Sequence, residues 1–472
     1  MKNLVILLIV FLVSPRAFAL QEFYSQSKSV RALGMGNAYY GLSNDEHALF
    51  YNPTGLSFYE NGTQAMVSIS PTISPSVLSA LDVLTNSSGQ NIDQVVDNLS
   101  QFQGDPLYGG ASIMPYYAKK NFSIALLIAD AKLNFTILGR DLDTSVDVTG
   151  ISDSGLFVGY SREVVENIYV GATLKGLFRV GGRRTFTVID IAQNQNFDLD
   201  FNDLGGGGAG FDADLGVTYE LPRVPWDGLA RVSMVLNNVV ATDFSIARFG
   251  GKAPPGLVRM LTLSGYARFP GVWAFDHFDV IFDLAEFGIG GETDVDLGAR
   301  RSNFFKHVNF GVEAPLTDWF SLRTGFRQGY WSAGLGLNMR FFKMDLATWQ
   351  EELFSSAGRL GNRRFAVRFA FGVGSAKPAV AAATESKPRS VPVSTPAPTP
   401  APNGGPLITP SESQQSAPTS EAVPSTEPAT SGEAGRDPSS VQRRVVKPEE
   451  DDDRFNVDSY VEKVPPSYNY SQ

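Results

Sequence analysis

The feature that most constrains this chain is a strict two-residue alternation of apolar with polar or small side chains, repeated in run after run between residues 62 and 374. In Phe211-Asp212-Ala213-Asp214-Leu215-Gly216-Val217-Thr218-Tyr219, carboxylates and glycine share one face and the larger groups the other. The same rule holds in Phe278-Asp279-Val280-Ile281-Phe282-Asp283-Leu284, from Phe320 to Arg327, from Leu335 to Phe341 and from Phe365 to Phe371. Successive side chains of a strand point to opposite faces, so each run has one wet face and one apolar face. A soluble β-sandwich alternates too, but three features favour an all-β transmembrane antiparallel barrel. The runs are about nine to eleven residues long, the length of a tilted membrane-crossing strand. Their apolar faces are weighted to Phe, Leu and Tyr, as a lipid-facing wall with aromatic girdles requires. Their other faces carry Asp, Asn, Arg and Gly, which are costly in a dry core and suited to a hydrated lumen. The length accommodates about 14 strands, within a range of about 12 to 16, and bacterial single-chain barrels use even numbers.

Composition removes several alternatives. No apolar run of about 18 residues occurs beyond the N-terminus, which excludes helical membrane spans. The 472 residues include no Cys, so disulfide frameworks, thiolate metal sites and thiol catalysis are excluded. A formal net charge of −10 opposes a nucleic-acid partner, which needs clustered Lys and Arg.

The chain divides into five segments. Residues 1–19 read as a signal peptide, with Lys2 before an apolar stretch and Ala17-Phe18-Ala19 at the cleavage position. Residues 20–61 precede the first strand, and 62–375 hold the alternating runs. Residues 376–448 are rich in Pro, Ala, Ser and Thr and lack apolar periodicity, the composition of a disordered, partly polyproline-II linker. Residues 449–472 join Glu449-Glu450-Asp451-Asp452-Asp453 to Phe455, Tyr460, Tyr468 and Tyr470, which reads as a solvated acidic tail or as a peptide that docks on a periplasmic protein. Ile92, Val95, Val96 and Leu99 predict a short amphipathic helix after the first strand.

The segment before the first strand carries Gly34-Met35-Gly36-Asn37-Ala38 and then Asn52-Pro53-Thr54-Gly55-Leu56. Gly34 and Gly36 permit close packing or positive φ, and Asn52-Pro53 initiates a turn. A compact plug needs such residues, because irregular backbone at membrane depth must satisfy its hydrogen bonds away from lipid. These residues closely resemble the N-terminal hatch of the FadL superfamily of outer-membrane barrels, in which Gly-x-Gly-Asn-Ala precedes Asn-Pro-Ala; Thr54 replaces the last Ala. The run from Gly210 to Tyr219, Val235-Leu236-Asn237-Asn238, and Gly311-Val312-Glu313-Ala314 before Leu322-Arg323-Thr324-Gly325-Phe326 look like the PorV-like branch of that superfamily.

The resemblance implies a plugged barrel in the outer membrane of a Gram-negative bacterium, in contact with outer-membrane lipid, its C-terminal tail periplasmic. FadL-type members admit long-chain fatty acids or other hydrophobic small molecules, blocked by the plug and released sideways through the wall. PorV-like members act with secretion machinery, which makes the alternative a scaffold whose tail binds a periplasmic protein. Asp212, Asp214, Asp279, Asp283, Glu313, Arg323, Arg327 and Arg340 are the expected polar residues of the lumen, as cross-strand ion pairs or as a solute filter. No cofactor, metal-ligand or catalytic set emerges. His47, His277 and His307 lack metal spacing, and Gly205-Gly206-Gly207-Gly208-Ala209-Gly210 meets G-x-G-x-x-G without the helix a dinucleotide site needs, so it reads as a flexible turn. The chain is therefore expected not to be an enzyme.

Overall fold

In the computed structural model, residues 26–374 are described, apart from 87–93, 95, 96, 99, 104, 139–144, 188, 189, 191–203, 251, 252, 290–302, 354, 355 and 360. The chain forms two units, 1–388 and 389–472, and every described residue lies in the first. The leader, the linker, the acidic tail and the helix expected at Ile92 to Leu99 lie outside the described residues or rest on side chains outside them.

Fifteen strands are described: β1 Gln64–Ile73, β2 Leu107–Lys119, β3 Phe122–Leu138, β4 Ser145–Val165, β5 Ile168–Thr187, β6 Gly206–Glu220, β7 Leu229–Asn237, β8 Ile246–Phe249, β9 Met260–Pro270, β10 His277–Gly288, β11 Val308–Thr317, β12 Phe320–Arg327, β13 Tyr330–Asn338, β14 Phe342–Glu352 and β15 Gly361–Gly374. All except β8 pair antiparallel with both neighbours, and β1 against β15 closes a fourteen-stranded barrel. Closure removes the sheet edge, whose unpaired amides could not survive in lipid. The apolar set faces out: Val67, Leu126, Leu156, Leu174, Phe211, Met234, Phe282, Leu335 and Phe371 are all exposed. The polar set faces in and is buried. No helix among the described residues is long and apolar enough to cross a membrane.

The two ends differ. At one, strands are joined by the short turns 120–121, 166–167, 318–319 and 339–341, and both Gln64 and Gly374 lie there. At the other lie the long connections 74–106, 188–205, 238–259 and 289–307.

Two local departures from the sequence reading have physical causes. β3, β4 and β5 span 17, 21 and 20 residues, well beyond the expected nine to eleven. Their long-loop halves carry Phe135, Ile137, Val146, Val148 and Phe186 on the outward register, buried with Val77 and Ala80 of a helix, Val77–Asn86, from the first long connection. That cover lets an apolar outer surface continue past the lipid belt. The glycine run expected as a turn is wall: β6 begins at Gly206.

β3 also contains a bulge. Its pairing skips between Leu127 and Asp130 against β4, and a shift against β2 accompanies it. The extra residue exchanges inward and outward positions. Ala125 and Leu127 are buried before the bulge, and Asp130 after it.

Candidate functional site

The site is the hatch, residues 26–61, folded inside the barrel. Ser29 caps the helix Val30–Gly34. The chain then turns through two left-handed residues, Gly36 at φ 65° and Asn37 at φ 57°. Gly36 is required twice over, because a Cβ there would lie 2.6 Å from the Phe326 amide nitrogen and 2.9 Å from the Phe310 carbonyl oxygen. Gly34 likewise sits against Gly334 of β13. Asn37 Oδ1 accepts a hydrogen bond from the Tyr51 hydroxyl at 2.6 Å. Asp45 caps the 3-10 turn Glu46–Leu49, and Asn52 caps Pro53–Phe58 with Pro53 in the first turn. The Asn52 amide also donates to the Tyr40 carbonyl at 2.9 Å, tying the two halves of the hatch together. Thr54 uses the hydroxyl that Ala would lack: its Oγ1 lies 2.5 Å from Thr218 Oγ1 on β6.

The hatch meets the wall through two unlike seams. On one side runs a ring of alternating charge. Asp45 pairs with Arg31 (3.2 Å), Arg31 with Glu313 (2.5 Å), Glu313 with Arg323 (2.7 Å), Arg323 with Asp345 (2.7 Å) and Asp345 with Arg368 (3.0 Å). Arg368 returns to Glu46, the residue after Asp45. The ring thus starts and ends on the hatch and passes through β11, β12, β14 and β15. His47 closes it, with Nδ1 3.4 Å from Glu46 and 3.7 Å from Asp45. Below it, at the short-turn end, opens a polar cavity of about 140 Å³ whose lining includes Arg31, Arg268, Asp279 and Lys343.

Burial alone would push the Asp45 and Glu46 carboxyls up. For Asp45 the His47 contact and Arg31 outweigh burial, and for Glu46 the Arg368 and Lys343 charges do, so both are held below the usual carboxylate range. Burial would lower His47, but its contacts with Asp45 and Glu46 raise it instead. Side-chain oxygens and nitrogen of Asp45, Glu46 and His47 approach within 4.8 Å, a spacing that suits a cation, yet each carboxylate already faces a guanidinium or ammonium.

A raised histidine stabilises the folded hatch fully below its unfolded value of about 6.5, and that contribution is lost as pH rises through the folded value. The lowered carboxylates contribute above about 4.5 and are lost only in stronger acid. Hatch amides 45–51 should therefore exchange faster above about pH 7 after correction for intrinsic chemistry. Replacing His47→Gln should flatten that profile; an unchanged slope in the variant would assign it elsewhere.

The other seam is apolar. Leu49, Leu56 and Tyr59 of the hatch are buried with Met66, Met114, Tyr116, Leu127, Phe157 and Leu177 of β1 to β5. Phe50 joins them, its ring 4.6 Å from that of Phe157. Ser57 Oγ touches Ser161 Oγ at 2.8 Å. This seam reaches Leu127, where the β3 bulge begins, and continues to Phe244 and Leu257.

The lumen residues expected from sequence divide between these surroundings. Glu313 and Arg323 are in the ring. Asp283 accepts the Tyr39 and Tyr40 amides, fixing the hatch to β10. Asp279 binds Arg268 and the Tyr266 hydroxyl, and Arg327 pairs with Glu351 at 2.8 Å. Asp212 and Asp214 hold the connection after β7. Arg340 does not join them: it is exposed in the β13–β14 turn, its Nε donating to the Gly374 carbonyl. Sequence reasoning missed Arg31, Asp345 and Arg368. Continuing the alternation through β14 and β15 would have put Asp345 and Arg368 on the inner face, whereas Arg31 lies in a helix too short for any periodic signal.

No family model and no curated protein matches this chain. Among solved structures, it is similar to a TodX monoaromatic hydrocarbon channel lacking S2 and S3 (11% identity, TM-score 0.45, covering 74% of this chain and 99% of that one). It is also similar to the P. putida toluene transporter TodX (10%, TM-score 0.41, 75% and 99%) and to a Pseudomonas aeruginosa FadL homologue (11%, TM-score 0.37, 74% and 99%).

Proposed function

We propose that this chain is a FadL-type plugged barrel of the outer membrane that passes hydrophobic small molecules, with the hatch as its valve. The short-turn end faces the periplasm, as in other bacterial barrels. The observation that carries this reading is the asymmetry of the hatch. Charges fasten it to β11–β15, while on β1–β5 its contact is mainly apolar, with Ser57 on Ser161, the Tyr59 hydroxyl on Gln64 and the Ser27 amide on Asp130 as its polar links. A molecule that gains about 25 cal/mol per Å² of apolar area removed from water is favoured in that seam over the aqueous lumen. The seam leads to the β3 bulge, where wall pairing is interrupted and lipid is adjacent. Long-chain fatty acids and smaller apolar compounds both belong to this substrate class.

The other reading, a PorV-like scaffold with residues 449–472 docking on a periplasmic protein, is favoured by one observation: the ring of charge packs much of the lumen.

The absence of native Cys allows a clean test. A Ser57→Cys/Ser161→Cys pair replaces two hydroxyls in contact and should form a disulfide that pins the apolar seam. Uptake of a hydrophobic probe by cells should fall to background when the pair is oxidised and recover with reductant. Uptake unchanged by the lock would remove the valve and favour the scaffold, whose mark is co-purification of a partner lost on deleting 449–472.

A further inference from the structure

Lys175, Asp214 and Asn238 meet in a buried corner of the wall, where the valve has no use for them. Lys175 belongs to β5 and Asp214 to β6, and Asn238 is the first residue after β7. All three are buried, at 3%, 1% and 5% exposure. Lys175 Nζ lies 2.7 Å from Asp214 Oδ1 and donates to Asn238 Oδ1 at 2.6 Å.

The surroundings fix each member. Asn238 is left-handed, at φ 57°, a conformation in which Asn is enriched. Its backbone amide donates to Asp214 Oδ1 at 2.8 Å, and the Val239 amide donates to the Ala213 carbonyl at 2.9 Å. The orientation of its side-chain amide follows from its partners. Nδ2 donates at 2.9 Å to the Val258 carbonyl, which can only accept, and Oδ1 faces an ammonium, which can only donate. Asp212, across the ladder from Lys175, is engaged elsewhere, accepting the Val240 and Thr242 amides at 3.0 and 3.1 Å. Asp214 is therefore the carboxylate that serves the lysine. The residues that follow lie on the glycine run as on a bed: a Cβ at Gly208 would strike the Phe244 carbonyl, and one at Gly210 the Thr242 side chain. The apolar side of the corner is Phe157, the ladder partner of Lys175 on β4, buried with Leu177 and Phe244.

Two charges are costly to hold in such a place. Passing one proton from Nζ to Asp214 neutralises both groups and leaves Nζ with a free electron pair. A carbonyl bond is about 1.2 Å long, so Nζ already stands within about 4 Å of Asn238 Cγ. Reactants held together in this way need no encounter, which is a large part of the barrier to attack on an amide.

We propose that Lys175 Nζ and Asn238 Cγ become joined by an intramolecular isopeptide bond, with Asp214 as the proton carrier. The Nζ–Cγ bond forms and the Cγ–Nδ2 bond breaks, its electron pair leaving with nitrogen. Asp214 gives its proton to Nδ2 and takes one from Nζ, so ammonia departs and a secondary amide remains. Nothing is oxidised or reduced. The bond ties β5 to the connection 238–259, which carries Phe244 and Leu257 to the apolar cluster shared with the hatch, and it does not depend on what the barrel passes.

The test is a tryptic mass map of the full-length protein purified in detergent. The peptide containing Lys175 should be found joined to the one containing Asn238, lighter than their sum by one ammonia, with no cleavage after the acylated lysine. Boiled in SDS, where differences in folding no longer matter, the parent should run ahead of Lys175→Arg, because the link closes the chain between 175 and 238. Asp214→Ala, checked for folding by its heat-modifiable gel shift, should yield the two peptides separately. Cleavage after Lys175 in the parent, with no joined peptide, would make the triad an ordinary buried ion pair and overturn the bond. A joined peptide in folded Asp214→Ala would overturn the role of Asp214.

Discussion

Replacing Arg368→Ala should free the hatch while leaving the barrel closed. Arg368 is 2% exposed and joins the hatch to two strands: it touches Asp345 of β14 at 3.0 Å, Glu46 of the hatch, and Ser68 of β1 at 2.9 Å. Removing one partner of a buried pair costs about 3–5 kcal/mol, because it strands the other charge. Asp345 keeps Arg323, but Glu46 loses its guanidinium and is left with Lys343 at 3.5 Å and His47 at 3.4 Å. The cost therefore falls on the hatch. The fourteen-strand ladder has its own hydrogen bonds and lipid-facing surface, so local opening of residues 45–51 is the expected response. Their amides should exchange about two to four orders of magnitude faster, with strand amides unchanged. Glu46→Leu combined with Arg368→Met should recover much of the loss, since replacing both partners by apolar groups is often neutral. Equal protection of the hatch in Arg368→Ala and the parent would mean that the ring does not fasten it.

The sequence made the barrel legible because lipid outside and water inside impose opposite demands on alternate residues, and that pattern survives without knowledge of pairing. It placed Asp279, Asp283, Glu313, Arg323 and Arg327 inside for the same reason. It failed where alternation is interrupted or absent. Arg340 continues the period of β13, yet the strand ends at Asn338 and the residue falls in a turn. The β3 bulge reverses the inward set halfway along the strand, which no composition signal announces. The glycine run was misread because six small residues look alike whether they form a turn or a bed for another segment. Only the position of residues 242–250 distinguishes the two. The hatch motif was visible as residues, but the ring was not, since its members lie as far apart as Arg31 and Arg368 and belong to five different elements.

Gly36→Ala should convert a plugged barrel into an open pore. Two effects act at this position, and they can be separated. The first is the left-handed backbone, at φ 65°, which costs an alanine about 1–2 kcal/mol. The second is steric: the new methyl would sit 2.6 Å and 2.8 Å from the Phe326 nitrogen and oxygen and 2.9 Å from the Phe310 oxygen. All three are backbone atoms of β12 and β11, fixed in the closed ladder, so the hatch must yield. Gly358 supplies the control: it is also left-handed, at φ 73°, but nothing lies within 4 Å of the position its Cβ would take. Gly358→Ala should therefore show only the backbone cost, with no change in conductance. Gly36→Ala should lift residues 30–44 away from the wall and give long-lived ion-conducting openings in planar bilayers. The pore should be lined by Glu313, whose hatch partner Arg31 would be withdrawn, and by Arg323 and Asp345. Silent bilayers together with parent-like protection of residues 30–44 would show that the seat of the hatch tolerates a methyl, and the close-packing argument for Gly36 would fail.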